Sequence, residues 1–249
     1  MSDSVFTSPS FSAPEARAFE LKFLVSAAVG AAVDAAARRF LAPDPHSDSE
    51  AGYRTTTLYL DTPTLDIFHR TPGYRRSRYR IRRYGSDPAV WLERKTRRAD
   101  RVSKRRDSIP ETDAGLLAQP LSLDTWPGHW FHQRITARRL GPACLIAYQR
   151  TALVGACPEG TMRLTIDRAV RGQLWPAWRP APFSGGRSVL DGQAILELKF
   201  RQALPLPFKR LIDEFRLSPT SVSKYRTCRA ALGGATLSAS PPSAEVHGA

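Results

Sequence analysis

The sequence predicts an α+β protein built on an antiparallel β-barrel tunnel of about eight strands, with a charged lumen and helices packed outside. Three observations carry this. Several segments alternate apolar and charged residues with a period of two. One of them places four arginines in succession on a single side. Helical patterns are few and short.

The strands come first in the argument because alternation assigns faces. In 19–25 (FELKFLV), Phe19, Leu21, Phe23 and Val25 share one face, and Glu20 and Lys22 share the other. Residues 53–61 (YRTTTLYLD) read as a further strand. In 75–84 (RRSRYRIRRY), Arg76, Arg78, Arg80 and Arg82 form a stripe opposite Tyr79 and Ile81, so Arg75 and Arg83 face outward. In 89–97 (AVWLERKTR), Glu93, Lys95 and Arg97 oppose Val90 and Leu92. Tyr148 and Arg150 fall together in 144–154, and Arg163, Thr165 and Asp167 oppose Met162, Leu164 and Ile166 in 161–168. In 194–200 (AILELKF), Glu197 and Lys199 oppose Leu196, Leu198 and Phe200.

The remaining segments follow from capping and breakers. Ser26 caps an Ala-rich helix running to about Leu41, with Pro43 and Pro45 stopping it. Residues 112–118 and 129–139 are predicted helical, and Pro207 opens another helix over FKRLIDEFRL. The Pro/Gly-rich stretch 172–193 reads as an excursion between strands, and the basic cluster 97–106 as a solvated loop of which at most half touches a ligand. Residues 1–15 and 233–249, rich in Ser, Pro and small residues, are expected to be unstructured, leaving 16–232 as one domain.

Two architectures fit strands with one apolar and one charged face. In a sandwich the apolar faces pair and the charges meet water, which is the ordinary meaning of such a pattern. Ordinary solvent faces, however, mix charges with Ser, Thr and Gln. A run of four arginines on one face repels itself unless something anionic neutralises it. A closed barrel with charges inside and helices over the apolar faces satisfies both constraints.

The charge balance points the same way. The chain carries 37 Lys+Arg against 23 Asp+Glu, a net +14. Between Arg70 and Arg106 there are 15 basic residues against Asp87, Glu93 and Asp100, so this stretch holds +12 of the total. A focused excess calls for a polyanionic partner, phosphate esters or nucleic acid among them. Cys144, Cys157 and Cys228 show neither CxxC nor zinc spacing, which favours a reducing compartment over a disulfide framework. No segment reads as a membrane span or signal peptide, and a cytoplasmic location is the expectation.

A series of short motifs then points to one family. They are Glu-Leu-Lys-Phe at 20–23, Leu-Tyr-Leu-Asp-Thr at 58–62, Arg-Ile-Arg-Arg-Tyr-Gly at 80–85 and Leu-Glu-Arg-Lys-Thr at 92–96. Tyr-Gln-Arg-Thr-Ala at 148–152, Arg-Leu-Thr-Ile-Asp at 163–167, Leu-Glu-Leu-Lys at 196–199 and Ser-Lys-Tyr at 223–225 complete it. The sequence resembles the VTC domain, the polyphosphate polymerase module of the triphosphate tunnel metalloenzyme (CYTH-like) superfamily, over Phe19 to Arg226. The resemblance implies that ATP donates its γ-phosphoryl group to a growing inorganic polyphosphate chain inside the tunnel. It implies catalytic roles for Lys22, Arg80, Arg82, Lys95 and Glu197. Phosphate oxygens would also be held by Arg78, Arg150, Arg163, Lys199 and Lys224, with Tyr148 lining the lumen and Arg70 and Lys104 extending the basic path. Glu197, with Glu20 and Glu93 as further candidates, would ligate Mn²⁺ or Mg²⁺.

The resemblance has departures. The tunnel hydrolases open on Glu-x-Glu-x-Lys, whereas Ala18 stands at the first position here and leaves only Glu20 and Lys22. The missing carboxylate weighs against hydrolysis of an NTP, an RNA 5′-triphosphate or tripolyphosphate, the alternative enzyme reading. A non-catalytic polyphosphate-binding module is the third. The SPX domain and membrane segments of the eukaryotic polymerase are not among these residues, so either export of product takes another route, such as a membrane partner outside this sequence, or polyphosphate is made or bound in the cytosol. On spacing alone, Glu93 and Glu197 read more readily as counter-ions of Lys95 and Lys199 than as metal ligands; the resemblance reverses this for Glu197 and leaves Glu93 even. No specific nucleic-acid partner is expected.

Overall fold

The computed structural model of the chain describes residues 19–45, 52–98, 101–120, 124–181 and 185–233. The two terminal stretches expected to be unstructured lie outside the described residues, Gly233 apart. Ten strands form one antiparallel sheet: β1 (Phe19–Val25), β2 (Ala42–Pro43), β3 (Tyr53–Asp61), β4 (Ser77–Tyr84), β5 (Ala89–Arg98), β6 (Arg101–Pro110), β7 (Gly141–Cys157), β8 (Gly160–Leu174), β9 (Arg187–Ser188) and β10 (Ala194–Phe200). The helices are α1 (Ala27–Ala37), α2 (Asp66–His69), α3 (His129–Ala137), α4 (Leu206–Glu214) and α5 (Lys224–Ala231), with a 3₁₀ helix over Glu111–Ala118.

The main path runs β1-β10-β8-β7-β3-β4-β5-β6, eight strands, with β2 added beside β7 and β9 beside β8. Register fixes the faces. Arg80 stands opposite Tyr59 and Glu93, and Lys22 opposite Glu197, which itself faces Thr165. The charged residues therefore share one face, and the apolar residues between them share the other. Among the described residues no ladder joins the edge strands β1 and β6. The sheet curls instead, and Lys95 Nζ on β5 reaches Glu20 Oε2 on β1 at 3.5 Å. The expected antiparallel tunnel is thus drawn together across its seam by side chains rather than by backbone bonds.

Two apolar cores coat the outside. Leu58, Tyr79, Ile81 and Leu92 pack with Phe131 and Ile135 of α3 and Leu117 of the 3₁₀ helix. Phe23, Leu164, Leu196 and Leu198 pack with Val33 and Ala37 of α1 and Phe208 and Leu211 of α4. Ser26 caps α1, its hydroxyl accepting from the Val29 amide at 3.2 Å, as the sequence indicates.

Helix α5 departs from the outside layer. It seats on the charged face's side of the sheet, where Tyr225 stacks on Tyr59 with centroids 5.3 Å apart and its hydroxyl donates to Asp61 Oδ2. Gly172 permits the approach, since a Cβ there would stand 2.0 Å from Cys228 Sγ. The 97–106 cluster, expected to be a loop, instead forms the end of β5 and the start of edge strand β6. Strands β7 and β8 are longer than their apolar alternation indicates, and meet in a hairpin at Gly160, whose φ is +109°. A bulge between Ala147 and Gln149 leaves Tyr148 without a partner on β8.

Candidate functional site

The inner face assembles two linked clusters of charge. In the first, Glu93 is buried among Arg80 (Nε to Oε2, 2.5 Å), Lys104 (Nζ to Oε1, 2.8 Å) and Arg82 (Nη1 to Oε2, 3.7 Å). Burial would raise the Glu93 carboxyl, but Arg80, Arg82 and Lys104 outweigh it and hold the group well below the usual carboxylate range. Arg82 is 5% exposed and donates to Thr57 Oγ1 at 3.2 Å and to the Tyr84 hydroxyl at 3.4 Å. Burial pushes Tyr84 up, yet Arg82 and Lys104 bring its phenol down to about 8.

The second cluster runs from the seam to α5. Glu20 accepts Lys22 at 2.9 Å, Lys95 at 3.5 Å and Lys199 at 3.7 Å. Glu197 accepts Lys22 and Lys199 at 3.5 Å each and Lys224 at 3.8 Å. Asp167 is fully buried, gripped by Arg150 through Nε at 2.6 Å and Nη2 at 2.7 Å and by Lys224 at 2.5 Å. Burial and Glu197 push the Glu20 carboxyl up, but Lys199, Lys95 and Lys22 hold it at about 2. Burial likewise opposes the ionised forms of Glu197 and Asp167. Lys224, Lys199, Lys22 and Arg150 keep Glu197 well below its ordinary value, and Arg150 and Lys224 lower Asp167.

Tyr148 lies between the clusters, its ring 5.3 Å from the Arg150 guanidinium and 5.0 Å from Lys224 Nζ. Its hydroxyl and those of Thr55 and Thr165 are buried and without a hydrogen-bond partner among the described residues. Orphaned buried hydroxyls are uncommon and point to an acceptor that the protein itself does not supply.

All the candidate residues except Arg70 and Arg163 meet at these clusters or directly beside them. Arg163 is half-buried and paired with Asp44 at 2.8 Å. Arg70 is exposed at the end of α2 with φ +62°, near Arg78. Burial lowers the Arg78 guanidinium, and Arg70, Arg226 and Arg80 crowd it further, so positive charge gathers at that end as well. Asp167 was legible as a member of the 163–167 stripe, but nothing in its spacing marked it as the counter-ion that seats α5. Thr165 was legible in the same stripe, whereas Tyr84, Arg226 and Thr55 were not singled out by the alternation.

The sequence profile of the VTC domain matches residues 17–233. The chain belongs to the VTC domain family. Among solved structures, a Hippeastrum adenylyl cyclase candidate found to have a dominant triphosphatase activity is similar at a TM-score of 0.49 and 14% identity, covering 85% of this chain and 95% of that one. An adenylate cyclase candidate from Bacillus halodurans gives 0.49 at 12% identity, covering 82% and 92%. The PH1819 protein from Pyrococcus horikoshii OT3 gives 0.44 at 11%, covering 86% and 99%. No curated protein matches the sequence at a significant level.

In this VTC domain the inner cations named above are Lys22, Arg78, Arg80, Arg82, Lys95, Lys104, Arg150, Arg163, Lys199 and Lys224, ten against the five carboxylates Glu20, Asp44, Glu93, Asp167 and Glu197. Among these named groups the cations outnumber the carboxylates two to one. A string of phosphates supplies distributed negative charge and acceptor oxygens together. Among the described residues no three His, Cys, Asp or Glu groups gather as a metal cage. Glu20 and Glu197, bridged by the same two lysines, are a carboxylate pair whose oxygen donors are of the kind that would suit a hard cation. No helix among the described residues is long and apolar enough to cross a membrane.

Proposed function

We propose that this VTC domain is a metal-dependent polyphosphate polymerase, transferring the γ-phosphoryl group of ATP to the end of an inorganic polyphosphate chain in the tunnel. The observation that carries the reading is the state of its carboxylates. Glu20, Glu93, Asp167 and Glu197 are each engaged by two or more cations, which lower their carboxyls below the ordinary range. Activating a water molecule calls for a base poised near the working pH. A terminal phosphate of polyphosphate is already anionic and attacks without one. The constellation thus favours a phosphate acceptor over water, in keeping with Ala18 at the position where the hydrolases carry a further carboxylate.

In this reading Lys22, Arg80, Arg82, Lys95 and Lys224 fix the phosphates and balance the charge that spreads over the equatorial oxygens during transfer. Arg150 and Lys199 hold the carboxylates in place, and Tyr148 and Thr165 offer hydroxyls to the chain. Glu20 and Glu197 would hold Mn²⁺ or Mg²⁺, which neutralises charge between donor and acceptor phosphates when bound. Glu93, enclosed by three cations, serves as their counter-ion. Arg70, Arg78 and Arg226 extend the basic path at one end, and Arg163 and Lys104 elsewhere along it. The partners are ATP and polyphosphate, in the cytoplasm.

Incubating the protein with ATP and Mn²⁺ and resolving the products by chain length tests this. Polyphosphate ladders are expected. Orthophosphate release without chains would establish the triphosphatase reading in its place, and saturable polyphosphate binding without turnover would leave a binding module.

A further inference from the structure

Cys144 on β7 and Cys228 on α5 are both fully buried, and their Sγ atoms stand 3.0 Å apart although 84 residues separate them. The sheet is shaped for this contact. Gly172 on β8 is the other wall of the seat, and any side chain larger than hydrogen there would collide with the Cys228 sulfur. A disulfide bond is about 2.05 Å long, so closing it asks for a movement of about 1 Å. Neither thiol has a part in the proposed phosphoryl transfer.

The helix that carries Cys228 also carries Lys224 and Tyr225. Lys224 supplies one of the two cations on Asp167, and Tyr225 anchors to Tyr59 and Asp61. Whatever fixes Cys228 fixes these two. With the helix seated, the hydrogen bond between the two sulfurs and burial push the Cys144 thiol well up, so docked Cys144 offers no thiolate. Exchange chemistry needs α5 lifted, which exposes the sulfurs to water and to reagents.

We propose that Cys144 and Cys228 are a covalent modification site, an intramolecular disulfide that staples α5 into the tunnel end, formed by exchange with a small-molecule disulfide. With α5 lifted, the Cys228 thiolate attacks one sulfur of the reagent, whose S–S bond breaks and releases one thiolate. Before the helix is fully seated, the Cys144 thiolate attacks the Cys228 sulfur of the mixed disulfide and expels the second, and the linked helix then docks. The two cysteines lose two electrons, the reagent gains them, and the two cysteine protons end on the two small thiols released. In a reducing compartment the pair rests as thiols and α5 is held by packing and ion pairs; an oxidising shift adds the staple.

The experiment treats the full chain with oxidised glutathione, folded and during refolding from denaturant, then alkylates under denaturing conditions and maps the peptides. The expected product is a Cys144–Cys228 cross-link, while Cys157, half-buried and bonded to the Gly160 carbonyl at 3.3 Å, remains alkylated or carries glutathione. The linked chain should show a thermal midpoint higher by roughly 10 °C and hydrogen exchange in α5 slowed at least tenfold. Cys228→Ala and Cys144→Ala should each abolish both changes. Separate glutathione adducts on Cys144 and Cys228, free thiols at both after refolding, or a midpoint rise that survives in Cys228→Ala would each overturn the proposal. The outcome is independent of whether the tunnel polymerises or hydrolyses phosphates.

Discussion

Lys224 reaches from α5 to Asp167 on β8, Nζ to Oδ2 at 2.5 Å, and so closes an ion triad whose third member is Arg150. Asp167 is wholly buried, and the side chains of Arg150 and Lys224 are about nine-tenths buried. Removing this carboxylate leaves the buried Arg150 guanidinium and Lys224 ammonium side by side, with Glu197, 3.8 Å from Lys224, as the remaining acid. Asp167→Ala is therefore expected to lower unfolding stability by about 3–5 kcal/mol. Lys224→Ala should cost less, because Arg150 keeps its bidentate grip on the acid. Urea unfolding of the three proteins checks the order, and a stable Asp167→Ala chain would mean that the triad does not hold α5.

Acid should weaken the fold through the same groups. Glu20 is held at about 2, and Glu93, Asp167 and Glu197 are lowered as well. Folding thus favours the ionised forms. Their contribution is complete above the unfolded values of about 4 and disappears as pH falls through the folded ones. The thermal midpoint is expected to be nearly flat from about pH 5 to 7 and to drop steeply between about pH 4 and 2. A midpoint unchanged at pH 3 would show that the inner carboxylates are not paired in solution.

The stripe Arg78-Arg80-Arg82 was readable because Tyr79 and Ile81 interrupt it at every second place, and the register confirms that these arginines share a face with Tyr59, Thr57, Glu93 and Lys95. Strand β6 was not readable. Its inner residues Lys104 and Arg106 alternate with Ser103, Arg105 and Asp107, so both faces are polar and hydropathy shows no period. An edge strand tolerates that composition, because one of its sides meets solvent. Helix α5 escaped for another reason: its seat is made by Gly172, Tyr59 and Cys144, residues far away in sequence that only the fold brings together. Tyr148 was read on one face with Arg150 by alternation, but the bulge that leaves it without a partner on β8 has no period that the sequence could show.

Arg82 is the most deeply placed of the arginine stripe, 5% exposed between Thr57, Tyr84 and Glu93. Such a cation exchanges little solvation when a phosphate meets it. Arg82→Ala is expected to weaken tripolyphosphate binding by about 100-fold, the scale for truncating a buried charge at an interface. Isothermal titration calorimetry without metal reads this directly. Wild-type affinity in the variant would place the phosphates elsewhere and remove the tunnel assignment with them.

Glu197 separates binding from turnover. It neutralises Lys22, Lys199 and Lys224, so Glu197→Gln leaves these cations with less competition for phosphate oxygens. Tripolyphosphate should bind this variant at least as tightly as the wild type, while Mn²⁺-dependent product formation from ATP is lost. Normal turnover in Glu197→Gln would rule the residue out as a metal ligand.

Tyr84 gives the tunnel a response in the alkaline range. Its phenol is brought to about 8 by Arg82 and Lys104 against the effect of burial. Since the folded value lies below the unfolded value of about 10, the group adds stability as pH rises from 8 to 10. Affinity for a polyanion moves the other way, because the phenolate occupies the positive potential that the phosphates would meet. From pH 7 to 9 the wild type should lose about tenfold more tripolyphosphate affinity than Tyr84→Phe does. The comparison cancels the titration of the ligand and of the lysines, which the two proteins share. Parallel pH profiles for wild type and variant would show that Tyr84 does not face the bound phosphates.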